Sequence, residues 1–255
     1  QFQLAVESRD ITTMRTPLGL VRMCTLPQGG TNSVAHMVNA MNKVLRDCIP
    51  DITMPFLDDI PIKGCPVGEK DEIIGPDGCR NFVATHIDDY EKVLQILEGR
   101  RLTFSGEKLA FGQSEIMVVG HLCRPYGRKP SPAKVEAISA MKEDCNSVTE
   151  VRRFLGACGF YHIWIPYYAH VAELLYGLLK KGRKFEWSRE HTESVPKMKE
   201  ALAAAPTLRK AVYGRDIPIY VTVDMSLIGI GWVINQEDEN DTRLPIRFGM
   251  KVLSE

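Results

Sequence analysis

Two adjacent aspartates inside an apolar segment constrain this chain more than any other feature. Residues 54–64 read MPFLDDIPIKG, so that Asp58 and Asp59 have apolar neighbours on both sides. Removing an unpaired carboxylate from water carries a large free-energy penalty. The pair is therefore expected either in a turn that is open to solvent, which is the usual place for such a dipeptide, or beside a divalent cation.

The composition is typical of a globular protein and excludes several other classes. The chain has 255 residues, of which 44% are hydrophobic and 25% charged, and its formal net charge is zero, so any nucleic-acid contact must come from local basic patches. Seven scattered cysteines without Cys-x-x-Cys spacing argue against a zinc site or a disulfide scaffold. They favour a reducing, intracellular compartment, cytoplasmic or nuclear. No apolar run approaches the roughly 20 residues of a membrane helix, so no membrane contact is expected.

The hydrophobic periodicity predicts an α+β fold in three blocks. Residues 1–115 combine short strands with a helix that begins at Ser33 and a second helix over about residues 87–99. Residues 116–210 are mainly helical, and residues 211–255 begin with two strands of alternating hydrophobicity.

Within the helical block, several residues mark helix ends. Ser147 and Glu150 have capping-box spacing. A Leu-rich helix is predicted over residues 168–181. Pro196 lies inside the last predicted helix, which begins near Ser188, and an interior proline costs about 3 kcal/mol.

Several short segments follow one another in an order that carries a resemblance. They read LPQGGTNS, FLDD, MVVGHLC, SPAKVEAI, VRRFLGACGFYHIWIP and IYVTVDMSLIGIGWVINQ. Together they resemble the reverse transcriptases of long-terminal-repeat retroelements, most closely the gypsy-like group. The resemblance spans nearly the whole chain and identifies it as a piece of a pol polyprotein that is truncated at both ends.

The resemblance implies a fold and an activity. It implies an incomplete polymerase palm over residues 1–115, in which an antiparallel sheet packs with helices, and a thumb and connection over residues 116–210. Residues 211–255 would form the first hairpin of an RNase H-like domain. The parent activity would be RNA-directed DNA polymerisation with RNase H, in which two Mg²⁺ or Mn²⁺ ions assist nucleotidyl transfer. Its partners would be an RNA or DNA template–primer and a deoxynucleoside triphosphate (dNTP).

The resemblance also assigns roles to residues of this chain. Asp58 and Asp59 would be two of three polymerase metal ligands, and Asp224 would be the first acid of the RNase H metal cluster. The residues expected at the nucleotide or template are Gln28 and Gly29, and those expected in the turn that grips the primer are Gly120 and His121. Because the other carboxylates of both metal sites would lie outside this chain, no activity is expected from the chain alone.

Basic and aromatic residues provide candidate nucleic-acid contacts, each with a simpler alternative. Phosphate contacts, or else solvated helix ends, are predicted at Arg128, Lys129, Lys180, Lys181, Arg183 and Lys184. Four aromatic residues could stack on bases, but packing between helices is favoured for Tyr161, Trp164, Tyr167 and Tyr168.

Pro55 and Pro61 flank the acid pair and conflict with a regular hairpin, because proline donates no ladder hydrogen bond. They favour an alternative in which the chain is a non-catalytic remnant that binds nucleic acid or protein. A second alternative is an unrelated α/β domain whose Asp-Asp pair is only a turn.

Overall fold

The computed structural model describes residues 2–65, 73–76, 78–213, 216–225, 229–238 and 240–252. The chain divides into two compact units, Gln1–Phe111 and Gly112–Glu255. Within the described ranges, none of the helices combines the length and the apolar character that crossing a membrane requires.

Among its described residues, the first unit contains two short strands and two α-helices. They are β1 (Met14–Thr16), β2 (Gly19–Val21), α1 (Ser33–Val44) and α2 (Asn81–Gly99). The strands β1 and β2 pair in antiparallel fashion across the turn at residues 17–18. The helix expected from Ser33 is confirmed. The prediction that α2 begins near residue 87 was wrong, because no glycine or proline interrupts residues 81–87 and the helix extends back to Asn81.

The core of the first unit joins its two helices to the segment that contains the acid pair. Met41 and Leu45, from α1 and its C-terminal end, and Val93 and Leu97 of α2 are buried together with Cys48. The side chains that pack against this cluster include Ile60 and Ile62, which follow the acid pair. Residues 60–62 are therefore anchored in apolar packing although the acids before them are charged.

In the part of the chain that the structure describes, the second unit contains two three-stranded antiparallel sheets and four α-helices. Its strands are β3 (Ile116–Val118), β4 (His121–Arg124), β5 (Gly127–Pro130), β6 (Ile219–Met225), β7 (Gly229–Glu237) and β8 (Arg243–Val252). Its helices are α3 (Pro132–Ser139), α4 (Val148–Phe160), α5 (Tyr168–Gly177) and α6 (Arg189–Ala203). The helices share one buried core, against which Phe248 of β8 also packs.

The helix ends of this unit agree in part with the sequence signals. Ser147 Oγ accepts a hydrogen bond from the Glu150 N–H at 3.3 Å, which confirms the predicted cap of α4. The helix α5 ends at Gly177 rather than near residue 181, because i→i+3 hydrogen bonds to Leu178 and Leu179 tighten its last turn.

Pro196 lies inside α6 and does not interrupt it. Val195, Met198 and Leu202 of the same helix are all buried in the core of the second unit. Tertiary packing therefore offsets the cost of the interior proline.

The sheet β3-β4-β5 is tied to the residues that follow α6. Arg128 and Leu208 exchange two backbone hydrogen bonds of 2.8 and 2.9 Å. This pairing brings the Leu208 carbonyl so close to Gly127, whose φ is 143°, that a Cβ at Gly127 would overlap it. Only glycine fits at this crossing of two backbones.

The third strand of the C-terminal sheet was not predicted from the sequence. Residues 243–252 contain Pro245 and Gly249, which are unfavourable in a regular strand. In the structure, Ile234 and Asn235 of β7 pair with Arg247 and Pro245, so that Ile246 is the extra residue of a bulge in β8 beside Pro245. The Trp232 ring covers Gly249, where a Cβ would overlap it. The bulge and the Trp232 ring thus accommodate the two unfavourable residues.

Two glycine substitutions test this description of the second unit. Gly127→Ala is expected to lower its free energy of unfolding by at least about 2 kcal/mol, because the new methyl group meets a backbone carbonyl at a left-handed φ. Gly156 lies on the exposed face of α4 with open space around it. Gly156→Ala is therefore expected to raise the free energy of unfolding by about 0.5–1 kcal/mol.

Tryptophan fluorescence during urea unfolding provides the measurement. The three tryptophans, Trp164, Trp187 and Trp232, all lie in the second unit and therefore report its unfolding. Equal stability of Gly127→Ala and the unsubstituted protein would contradict the Arg128–Leu208 pairing.

Candidate functional site

The acid pair lies at a two-residue hairpin turn. Phe56 and Asp59 exchange backbone hydrogen bonds of 2.9 and 3.0 Å, which leaves Leu57 and Asp58 as the two central residues of the turn. Leu57 has a left-handed φ of 58°, a conformation that costs a non-glycine residue about 1–3 kcal/mol. Asp58 and Asp59 are both exposed to solvent. The hairpin therefore presents two consecutive carboxylates at its tip.

The two prolines affect this hairpin differently. With Phe56 opposite Asp59 and Thr53 opposite Ile62, Pro55 occupies a position that makes no ladder hydrogen bond. Pro61 does remove a ladder donor. The hydroxyl of the fully buried Thr53 donates to the Pro61 carbonyl at 2.8 Å, which ties the two sides of the hairpin together but does not replace the missing N–H. The expected conflict with a regular hairpin is confirmed: in the described part of this segment, Thr53–Ile62 and Phe56–Asp59 form isolated bridges and no regular strand, although Pro55 itself costs no ladder bond.

Gln28 and Gly29 lie in the loop that precedes α1. Both are exposed, and Gly29 has a left-handed φ of 84°, which glycine adopts without strain. Among the contacts of the described residues, no hydrogen bond joins either residue to Asp58 or Asp59. Their assignment to a nucleotide or template therefore stays a prediction.

The predicted primer-gripping residues lie at a second two-residue turn, between β3 and β4. Val118 pairs with His121, and the central residues Val119 and Gly120 have φ values of 46° and 75°. Left-handed φ angles at both central positions are typical of a type I′ hairpin turn.

The imidazole of His121 packs among aromatic rings. It stacks on Phe160 with centroids 5.1 Å apart and an interplanar angle of 14°, and its centroid lies 5.2 Å from that of Trp164. Burial, with a smaller contribution from the Arg128 guanidinium, lowers the pKa of His121. The ring is therefore neutral at pH 7, and its packing identifies it as part of the support for the turn.

Asp224 lines a small cleft at the end of β6. It is exposed and lies opposite Gly231 of β7. The cleft has a volume of about 210 Å³, and its wall includes His170 of α5 and Tyr167. A Cβ at Gly231 would lie 3.4 Å from the Tyr167 ring, so the ring rests directly on this glycine.

The carboxylates present suit a hard divalent cation. Mg²⁺ and Mn²⁺ prefer oxygen ligands, and protein sites commonly supply one or two carboxylates while water and phosphate oxygens complete the shell. Asp58 and Asp59 fit this chemistry. In the ranges that the structure describes, no group of three or more His, Cys, Asp or Glu side chains is arranged to hold a metal.

The predicted phosphate-binding residues differ in their surroundings. Lys180 and Lys181 are exposed. Arg183 Nη1 donates to the Gly177 carbonyl at 3.4 Å and so caps α5, while Lys184 Nζ lies 3.3 Å from a carboxylate oxygen of Glu186. The helix-end alternative therefore describes Arg183 best.

Arg128 and Lys129 lie on β5. Arg128 is exposed, and its guanidinium lies 5.7 Å from the centroid of the Trp164 ring. Lys129 is half-buried.

The aromatic residues were predicted to pack between helices, and this is correct for Tyr161 and Trp164, which are buried. It was wrong for Tyr167, which is exposed because it occupies the N-cap of α5 with a left-handed φ of 53°. Tyr168 is half-buried. Sequence reasoning overlooked Phe160, because its helical spacing resembles that of a core residue, whereas half of its surface is exposed.

Comparisons with known proteins agree with this architecture. Residues 187–255 match the family model of the RNase H-like domain found in reverse transcriptase. The chain is 27% identical over 256 residues to the retrovirus-related Pol polyprotein from transposon 297 of Drosophila melanogaster, with all of this chain and 22% of that polyprotein covered. It is 24% identical over 234 residues to the transposon Tf2-3 polyprotein of Schizosaccharomyces pombe, with 92% of this chain and 16% of that polyprotein covered. The chain thus spans about a fifth of the length of these relatives.

Solved structures support the same fold. The foamy viral protease-reverse transcriptase dRH in complex with double-stranded DNA has a TM-score of 0.77 at 21% identity, with 99% of this chain and 41% of that chain covered. The foamy viral protease-reverse transcriptase in complex with an RNA/DNA hybrid has a TM-score of 0.75 at 22% identity, with 99% of this chain and 31% of that chain covered.

The chain therefore has a mixed α/β fold that resembles foamy viral protease-reverse transcriptase. Residues 187–255 match the RNase H-like domain found in reverse transcriptase, and over most of its length the chain is similar to the Pol polyproteins of retrotransposons.

Proposed function

We propose that this chain is part of the RNA-directed DNA polymerase with RNase H of a gypsy-like retroelement. Within it, residues 1–115 act as palm and residues 116–210 as thumb and connection. The observation that carries the proposal is the hairpin, whose two-residue turn presents Asp58 and Asp59 together in solvent on a base that is packed against α1 and α2. A solvated turn without function would require neither the left-handed Leu57 nor a base that is packed against two helices.

In this proposal Asp58 and Asp59 hold Mg²⁺ or Mn²⁺. When bound, the metal would stabilise the negative charge that develops on the attacking 3′-oxygen and on the leaving pyrophosphate. The aspartates contribute fixed negative oxygens, and the hairpin bonds between Phe56 and Asp59 limit their movement. Gln28 and Gly29 would contact the dNTP or the template, and Asp224 would contribute to the RNase H site.

The proposed partner is a nucleic-acid duplex. The similar foamy viral enzymes were solved with double-stranded DNA and with an RNA/DNA hybrid. Exposed Arg128, Lys180 and Lys181 support phosphate contacts, which depend on salt and not on sequence. The non-catalytic alternative retains this binding but not the metal.

Metal binding is expected to depend on the acid pair. Titration of Mn²⁺ into the protein should give a binding heat that is lost in Asp58→Asn/Asp59→Asn, because amides lack the charge that holds a divalent ion. Asp88→Asn/Asp89→Asn is the matched control, since it removes an adjacent acid pair from α2 in the same unit. Equal heats from both double variants would exclude a metal at the hairpin.

No primer extension is expected from this chain alone. The hairpin supplies two carboxylates, whereas the resemblance implies three for the polymerase metals. The assay combines a labelled primer–template, all four dNTPs and Mg²⁺ or Mn²⁺. If the unsubstituted chain extended the primer and Asp58→Asn/Asp59→Asn did not, a third carboxylate would be unnecessary for the reaction.

Nucleic-acid affinity is expected to fall when basic residues after α5 are neutralised. Lys180→Gln/Lys181→Gln should weaken binding of a labelled duplex and reduce the slope of log K against log salt by about two, because each lysine releases about one counterion. Arg189→Gln/Lys197→Gln on α6 removes the same charge from exposed positions outside the predicted set. Fluorescence anisotropy at several salt concentrations measures the affinity and the slope for each variant. Equal slopes for the two variants would contradict the predicted contact.

A further inference from the structure

The segment that follows α2 combines two arginines with an exposed hydroxyl group. Residues 100–105 read RRLTFS, so that Arg100 and Arg101 precede Thr103 by three and two positions and Phe104 follows it. Both arginines and Thr103 are exposed, and Phe104 is 54% exposed. This segment therefore presents two cations, a hydroxyl and an apolar ring to solvent within five consecutive residues.

The C-terminal end of α2 fixes where this segment begins. The Arg101 N–H donates to the Glu98 carbonyl at 2.8 Å, and the Leu102 N–H donates to the Leu97 carbonyl at 2.9 Å, which is the bond pattern of a Schellman motif. Leu102 also packs against the core cluster that contains Leu97. The next three residues belong to neither a helix nor a strand. Thr103 thus lies one residue beyond an anchored helix end, in irregular chain at the surface.

The two arginines are retained at a helix end that does not use their charge. Arg101 has a left-handed φ of 55°, at the position of this motif where glycine is usual, so it is strained relative to glycine. Of the described Asp and Glu side chains, none forms an ion pair with the guanidinium of Arg100 or Arg101. A strained residue whose charge is unused within its own unit is typical of a contact with another molecule.

The hydroxyl of Thr103 differs from others that follow an arginine at the same spacing. Thr12 donates to the carbonyl of its arginine at 2.7 Å, and Thr192 donates to a carboxylate oxygen of Asp144 at 2.6 Å. Ser131 is only 6% exposed and is followed by a proline. With the other described residues, the Thr103 hydroxyl makes no hydrogen bond. It is therefore the hydroxyl of this group that is both exposed and available to react.

This combination suits the active site of an arginine-directed Ser/Thr protein kinase. Carboxylates of such a kinase bind guanidinium groups through charge-assisted, bidentate hydrogen bonds, and the apolar Phe104 adds a contact after the hydroxyl. A kinase binds its substrate as extended chain, so the last residues of the helix end, Arg100 and Arg101, must open. Helix ends fray at low cost in free energy, and Thr103 itself already lies outside the helix.

We infer that Thr103 is a phosphorylation site for an arginine-directed protein kinase. The Thr103 oxygen attacks the γ-phosphorus of ATP, the bond from that phosphorus to the bridging oxygen breaks and ADP leaves, and the hydroxyl proton passes to the catalytic aspartate of the kinase. The phosphate carries about −1.5 to −2 charges at pH 7 and would lie close in the chain to Arg100 and Arg101. This inference does not depend on the proposed polymerase and RNase H function.

Phosphorylation of the unsubstituted chain tests the site directly. The chain is incubated with ATP, Mg²⁺ and the purified catalytic subunit of cyclic-AMP-dependent protein kinase, and mass spectrometry identifies the modified residues. Phosphate is expected at Thr103, and fragmentation spectra distinguish it from the neighbouring Ser105. Ser131 is expected to stay unmodified, because it is buried.

Substituted chains test how the kinase recognises the site. Thr103→Ser keeps the hydroxyl and should be phosphorylated, whereas Thr103→Val should not. Arg100→Gln/Arg101→Gln should lower the kcat/KM of the kinase for this chain about tenfold or more, because each guanidinium loses a charge-assisted contact. Arg152→Gln/Arg153→Gln is the matched control, since it removes an adjacent pair of exposed arginines from α4, and it should leave kcat/KM unchanged.

Three results would overturn the inference. They are phosphate at other positions but not at Thr103, equal kcat/KM values for the two double-arginine variants, and an unmodified chain in a mixture where the kinase phosphorylates a standard peptide. Thermal unfolding verifies that each variant is folded. The occupancy of Thr103 in the unsubstituted chain does not depend on any variant.

Discussion

The backbone hydrogen bonds between Phe56 and Asp59 determine where the acid pair can be. With only Leu57 and Asp58 between them, the turn cannot shift its register without breaking both bonds. The unfavourable φ of Leu57 is tolerated because the base of the hairpin is held by the Thr53–Pro61 hydrogen bond and by the packing of the half-buried Ile60 and Ile62. Local strain at the tip is thus balanced by packing several residues away, and the two carboxylates remain in solvent.

The turn at Val119–Gly120 in the second unit is built on the same principle. Val119, a β-branched residue, has a left-handed φ of 46°, which is a stronger conflict with local preference than that of Leu57. Its support consists of aromatic side chains and the hydroxyl of Tyr161 rather than aliphatic packing. Residues held in unfavourable conformations by their surroundings occur often at functional sites, and two such turns coincide with the positions that the motifs single out.

The sequence predicted those parts of the fold that depend on local signals. The start of α1, the Ser147 cap of α4 and the pairing of β6 with β7 each follow from residues that are close together in the chain. The errors arose where a residue that is distant in the sequence determines whether the element forms. The strand β8 depends on Trp232 of β7 and on a bulge beside Pro245, and the continuity of α6 through Pro196 depends on the core.

The same distinction holds for the candidate sites. The acid pair and the glycine turn could be found as motifs, because the residues that define them are consecutive. Phe160 could not be distinguished from a core residue, because its exposure depends on how the end of α4 meets the β3–β4 turn. The hydrogen bond from Thr53 to Pro61 likewise depends on a pairing across the hairpin.

The cleft at Asp224 indicates how the RNase H-like sheet is integrated into the second unit. The family match begins at Trp187, yet two residues that line this cleft, Tyr167 and His170, precede it. Gly231 is small where the Tyr167 ring rests on it, and Phe248 of β8 packs into the helical core. A segment that began at Trp187 would lose one wall of the cleft and expose part of β8. The environment of Asp224 is therefore set jointly by the RNase H-like sheet and by α5, although a sequence motif would assign the acid to the sheet alone.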